Sequence, residues 1–211
     1  MNRHPVIGLD LDNTLVGYDS LFHALAMERA LIEKTTPKQK RAIRDLIRRL
    51  DEGEQQWQVL QALAYGRRMN DAILNEGAAD FLRECGTRRL QVHIVSHRTL
   101  SATADPSGTD LRAAAIVWME QQGFFSSSAL GLDASRVWFE STRAEKVARI
   151  RQLGCTHFVD DLEEVFLEPD FPRGVVKILY APDRDRDDRQ VAPDVCVAPD
   201  WAAVRGSVFG S

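Results

Sequence analysis

The sequence predicts a doubly wound α/β protein, a parallel sheet with helices on both faces, interrupted after its first strand by an all-helical block. Three observations predict it. A short apolar run near the start ends in carboxylates, a stretch of about fifty residues with helical periodicity follows, and strand-like and helix-like segments alternate from there on.

The first strand is the run Val6-Ile7-Gly8-Leu9-Asp10-Leu11-Asp12, apolar until its carboxyl end, as a buried strand is when that end opens into a site. Over residues 20–69 the apolar residues recur at three- and four-residue steps: Leu21, Leu25, Leu31 and Ile32, then Ile43, Leu46, Ile47 and Leu50, then Trp57, Leu60 and Leu63. Breaks at Thr36-Pro37 and near Gly53 divide this block into about three helices. The alternation then gives a helix over 78–85, a strand over 90–95 and a helix over 109–122 ending at Gly123. A short strand over 136–139, a helix over 142–153 closed by Gly154, and strands over 157–159, 175–180 and 195–198 complete it. Residues 181–194 are rich in Asp, Arg and Pro with mixed signs, which predicts a solvated loop.

With 211 residues, 44% of them hydrophobic, the chain can bury a substantial core, and its size suits one domain plus a small insertion. Acidic and basic residues nearly balance, 31 against 27, so no global field would hold nucleic acid or an anionic membrane. The start has no apolar run long enough for a signal peptide or a membrane span, and the expected location is the cytoplasm, as a monomer or homodimer. Cys85, Cys155 and Cys196 are far apart and lack CxxC spacing, so neither a disulfide framework nor a zinc site is expected. The five histidines lack the paired spacing of metal sites.

Four polar clusters fall at the ends of predicted elements: Asp10-Leu11-Asp12-Asn13-Thr14, Ser96-His97-Arg98-Thr99, Lys146 near a helix start, and Asp160-Asp161. In a doubly wound sheet, strand ends distant in sequence meet on one edge. Four aspartates and one lysine gathered there would repel one another unless a cation neutralised them, and oxygen-only donors select a hard ion such as Mg2+. Because Mg2+ is commonly completed by substrate phosphate, phosphoryl transfer is the natural chemistry, with one aspartate accepting the phosphoryl group and a second acid moving the leaving-group proton.

The run Asp10-Leu11-Asp12-Asn13-Thr14-Leu15 resembles the first motif of the haloacid dehalogenase (HAD) superfamily, and Ser96, Lys146 and Asp160-Asp161 resemble its second, third and fourth motifs in order. A DxDxT string alone is weak; four motifs in order are specific. The resemblance implies a Rossmann-like core over residues 1–15 and 76–211, with the helical block 16–75 as a cap. It makes Asp10 nucleophile and metal ligand. Asp12 becomes the general acid and base, with its backbone carbonyl on the metal. Thr14 supports the loop, Ser96 and Lys146 hold the transferring phosphoryl group, and Asp160 and Asp161 complete the Mg2+ site, Asp161 directly and Asp160 directly or through water. His97 and Arg98 are placed at the mouth, where they bind phosphate or form a simple turn. Relatives that displace halide need no leaving-group acid, so Asp12 favours a phosphatase acting on a small phosphorylated metabolite. A phosphotransferase or phosphomutase, and a non-catalytic phosphometabolite-binding protein, are the alternatives.

Other conspicuous residues have plainer readings. Most of the arginines Arg41, Arg44, Arg48, Arg49, Arg67 and Arg68 form a solvated helix face, with reception of an anionic substrate as the alternative. Trp57, Trp118 and Trp138 belong to core or interface, and His93 is a satisfied buried histidine.

Overall fold

The computed structural model describes residues 4–182 and 191–210; the charged centre of the 181–194 stretch, residues 183–189, lies outside the described residues. The chain divides into two compact units, one built on the sheet (1–15, 74–98 and 123–211) and one mostly helical (16–73 and 99–122).

The sheet unit carries β1 (Val6–Leu9), α4 (Ala78–Thr87), β4 (Gln91–His97), β5 (Val137–Glu140), α6 (Arg143–Gln152), β6 (His157–Asp160), α7 (Glu163–Phe166), β7 (Val176–Tyr180), β8 (Val195–Ala198) and α8 (Trp201–Phe209). The helical unit carries β2 (Val16–Gly17), α1 (Asp19–Glu28), α2 (Lys40–Ile47), α3 (Gly53–Tyr65) and α5 (Leu111–Gln121). β3 (Ile73–Leu74), which leads back into the sheet unit, pairs with β2.

Six parallel strands stand in the order β5-β4-β1-β6-β7-β8, so β1 is flanked on both sides and its residues are enclosed by neighbouring strands as well as by helices. This is why the run before Asp10 is uniformly apolar. Gly8 within it is required by a close approach: an added Cβ would stand 2.4 Å from Cδ2 of Phe158 on β6. Beneath one face, Val147 and Ile150 of α6 pack with Val95, Phe158 and Leu179. Elsewhere in the unit Trp201 of α8 lies 5.1 Å from the Phe81 ring of α4 and 5.6 Å from that of Tyr180.

Several helices run close to where the sequence placed them, but α1 ends at Glu28, before Ala30 at φ +55°, so Leu31 and Ile32 lie outside it and the chain leaves the helix well ahead of Thr36-Pro37. Thr142 and Glu145 form a reciprocal capping box at the start of α6, and Gly154 follows its end with φ +65°. Short α7, long-range-determined β2 and β3, and α8 have no counterpart in the sequence reading. The α8 segment escaped although six of its nine residues are apolar and Asp200, its N-cap, accepts from Ala203 N.

In the helical unit, Phe22 of α1 stacks on Trp57 of α3 at 4.8 Å between ring centroids. The unit is larger than the 16–75 block drawn from the sequence, because residues 99–122 group with it. Trp118 of α5 donates its indole N–H to the Ala72 carbonyl at 3.0 Å, and Gly66 is approached by the side chains of Leu111 and Thr109, contacts that no local periodicity encodes. Arg44, Arg48 and Arg68 pair with Asp45, Glu54, and Glu28 and Asp71 of the same unit, consistent with a solvated face. Arg67 reaches toward Asp105. Cys85 and Cys155 are buried free thiols and Cys196 an exposed one. Among the described residues no helix is long and apolar enough to cross a membrane.

Candidate active site

The three central strands deliver their chemistry at their carboxyl ends. Asp10 follows β1, its backbone N–H donating to the Val159 carbonyl at 2.9 Å, and Asp160 is the last residue of β6. Ser96 sits inside the end of β4, two residues further into the strand than the sequence indicated. The fourth residue of α6, Lys146, is turned inward and only 2% exposed.

Lys146 is the bridge. Its Nζ donates to Asp10 Oδ1 and to Asp160 Oδ2, each at 2.6 Å, tying residues 136 and 14 positions away. An ammonium buried this deeply would be costly alone; here it is paired twice. Burial pushes the amine down, but the two carboxylates overcome it and hold the Lys146 pKa above the ordinary lysine value, so it stays cationic. Burial also dominates at Asp10, raising its carboxyl from 3.8 to about 7; Lys146 opposes the rise, and Asp160 and Asp12 add to it.

Asp10, Asp160 and Asp161 each bring one carboxylate oxygen to within 4.8 Å of the others. Three carboxylates against one ammonium leave the group short of positive charge, and the donors are all oxygen. Such a set suits a hard divalent cation. Asp160 uses its other oxygen, Oδ1, to accept from Leu162 N at 3.0 Å, which fixes the turn carrying Asp161.

Asp12 stands apart from that group. Its carboxylate is held by a two-pronged contact from Arg98, Nη2 to Oδ1 at 2.5 Å and Nε to Oδ2 at 3.2 Å. Arg98 is not an open mouth residue: it is 4% exposed, its backbone N–H donates to the Glu140 carbonyl, and its guanidinium faces Asp12. His97 points elsewhere, exposed, with Nε2 3.0 Å from the Ser141 carbonyl. The hydroxyls of Thr14 and Ser96 are both buried, and neither has a hydrogen-bond partner. A buried unpaired hydroxyl is costly, and two of them, one in the turn after Asp12 and one at the end of β4 just before Arg98, are suited to a polar ligand.

Two participants were not anticipated. Glu140, at the end of β5, accepts from Arg98 N through its carbonyl and from Arg149 Nε through its side chain. Asn75 donates its side-chain amide to the carbonyls of Thr14 at 2.8 Å and Asn13 at 3.4 Å. No local pattern marks either, since their partners lie 42 to 62 residues away or on a separate element.

Neither a protein-family model nor a curated protein matches the sequence. Solved structures do. A HAD family hydrolase from Deinococcus radiodurans R1, solved with bound phosphate and sodium, aligns over 97% of this chain and 95% of its own with a TM-score of 0.59 at 14% identity. The fold is that of the HAD-superfamily hydrolases. A HAD hydrolase of family IA, variant 3, from Entamoeba histolytica aligns over 97% of both chains at TM-score 0.58 and 11% identity. An L-2-haloacid dehalogenase does so over 98% of this chain and 99% of its own at 0.53 and 15%. One of these structures holds phosphate and another is a haloacid dehalogenase, so the fold alone does not say which reaction a member carries out.

Proposed function

We propose that this protein is a HAD-superfamily phosphohydrolase that cleaves a small phosphate monoester through a phosphoaspartate on Asp10. The observation that carries the reading is the Asp10–Lys146–Asp160 bridge at the carboxyl edge of the sheet, with a second carboxylate, Asp12, two residues after the first.

In this reading an Asp10 oxygen attacks phosphorus and the ester oxygen leaves, taking a proton from Asp12. Water then attacks the phosphoaspartate, Asp12 accepts its proton, and inorganic phosphate departs. Lys146 keeps the nucleophile oriented and offsets charge on the transferring group, and the unpaired hydroxyl of Ser96 is a donor for a phosphoryl oxygen. Arg98 holds the Asp12 carboxylate in place. Asp10, Asp160 and Asp161 would hold Mg2+, with the backbone carbonyl of Asp12, and the ion would neutralise charge on the phosphoryl group. The helical unit is assigned the substrate-selecting role of a cap.

Asp12 favours phosphorus over carbon, because displacement of halide needs no proton donor. The test is release of phosphate from a broad panel of phosphate esters with added Mg2+, alongside halide release from a 2-chloro acid. Phosphate release that is lost on chelation and in Asp10→Asn is expected. Halide release without phosphate release would replace this reading with a dehalogenase.

A further inference from the structure

We infer that Asn75 is a positioning residue for the loop that carries Asp12 and Thr14, an inference that rests on the phosphohydrolase reading for its kinetic consequence. The half-buried Asn75 addresses three successive carbonyls. Its side-chain amide donates to Asn13 O and Thr14 O, and its backbone N–H donates to Leu15 O at 2.8 Å. Its own carbonyl accepts from Ala78 N at the start of α4, which anchors it to a regular element.

The loop needs such an anchor. Asn13 lies at φ +60°, a left-handed conformation that costs free energy for any residue with a Cβ, and within the turn Leu15 N donates to Leu11 O at 3.0 Å. Carbonyls at 13 and 14 that lost their donor would turn to find another, and the peptide planes linking Asp12, Asn13 and Thr14 would rotate with them. Asp12 would then leave its register with Asp10 and Arg98. Asn75 also stands where the chain, having departed the sheet unit after Leu15, returns at Leu74, so its bonds pin the outgoing strand of chain to the returning one. The three loop carbonyls lie 60 to 62 positions before Asn75 in the sequence.

Asn75→Ala removes the side-chain donor, and Asn75→Asp keeps the shape but sets carboxylate oxygens against the two carbonyls. Both variants should lose about 10- to 100-fold in kcat on the best phosphate ester, with KM within about threefold of the parent, the pattern of a displaced catalytic group. Amide hydrogen exchange, which needs no turnover, should quicken in residues 10–15 and stay unchanged in β4 and β6. Exchange in residues 10–15 that is unaltered in both variants would overturn the inference, as would an activity loss that only tracks a fall in melting temperature with exchange quickened across the whole sheet. If the parent protein turns over no phosphate ester, the proposed function fails, and the exchange measurement alone still decides whether Asn75 holds the loop.

Discussion

Replacing Lys146 by methionine removes the ammonium shared by Asp10 and Asp160 while nearly keeping the volume of the side chain. Both contacts are 2.6 Å long, and Lys146 and Asp160 are shielded from solvent almost completely, so water cannot take over the role of the amine. Removing one partner from a buried ion pair costs about 3–5 kcal/mol, and here two carboxylates are left facing each other. For a chain of this size each kcal/mol moves the melting temperature by about 2–4 °C, so the metal-free sheet unit should melt roughly 6–20 °C lower. Calorimetry with chelator, following the transition of that unit, reads the effect directly. A divalent cation should recover part of the loss by replacing the missing positive charge, and adding Asp10→Asn should also recover part, because only one carboxylate then remains unpaired. A Lys146→Met protein that melts within about 2 °C of the parent, or a double variant no more stable than the single one, would show that the bridge does not hold these residues together.

Asp12→Asn should slow cleavage of alkyl phosphates by roughly two to four orders of magnitude and that of esters with good leaving groups less, as measured by phosphate release; equal rates would remove the proton-transfer role. The Asp10 carboxyl, raised to about 7 mainly by burial, has a folded-state pKa above its unfolded value of 3.8, so metal-free protein gains stability from its proton at low pH and loses that contribution as pH rises through 7. In the proposed metal role Mg2+ would displace the same proton, so its affinity should fall as pH drops below about 7, with up to about one proton released per ion, measured by titration calorimetry in two buffers; affinity unchanged over that range would contradict that role. Gly8→Ala should cost about 1–3 kcal/mol in urea unfolding, because its Cβ would press on the Phe158 ring and on Cys155 Sγ at 3.0 Å; a neutral change would mean that β1 and β6 adjust freely.

Much of the fold was legible because its signals are local. The apolar run before Asp10, the Thr142–Glu145 box and the glycines after α5 and α6 each act within a few residues, and the helix and strand order follows from them. The helical unit was only partly legible. α1, α2 and α3 declare themselves by periodicity, whereas the grouping of α5 with them depends on contacts such as Trp118 to Ala72. At the site, residue types ending elements were readable, but their partners were not. Arg98 read as a phosphate fork or a simple turn, and nothing near it in the sequence announced that its guanidinium grips Asp12, 86 residues earlier.

Alone, the amino-acid sequence determined most of the elements and their order, apart from β2, β3, α7 and α8, and that carboxylates, a hydroxyl and an amine stand near their ends. Periodicity and capping are short-range properties, set by backbone hydrogen bonding and the burial of one face. Only the tertiary structure decided that β1 lies between β4 and β6, that Lys146 spans Asp10 and Asp160, and that Asn75 anchors the loop after Asp12. Those pairings join positions far apart in the chain, where closing the intervening loops depends on the packing of the whole sheet and leaves no mark in the neighbouring residues.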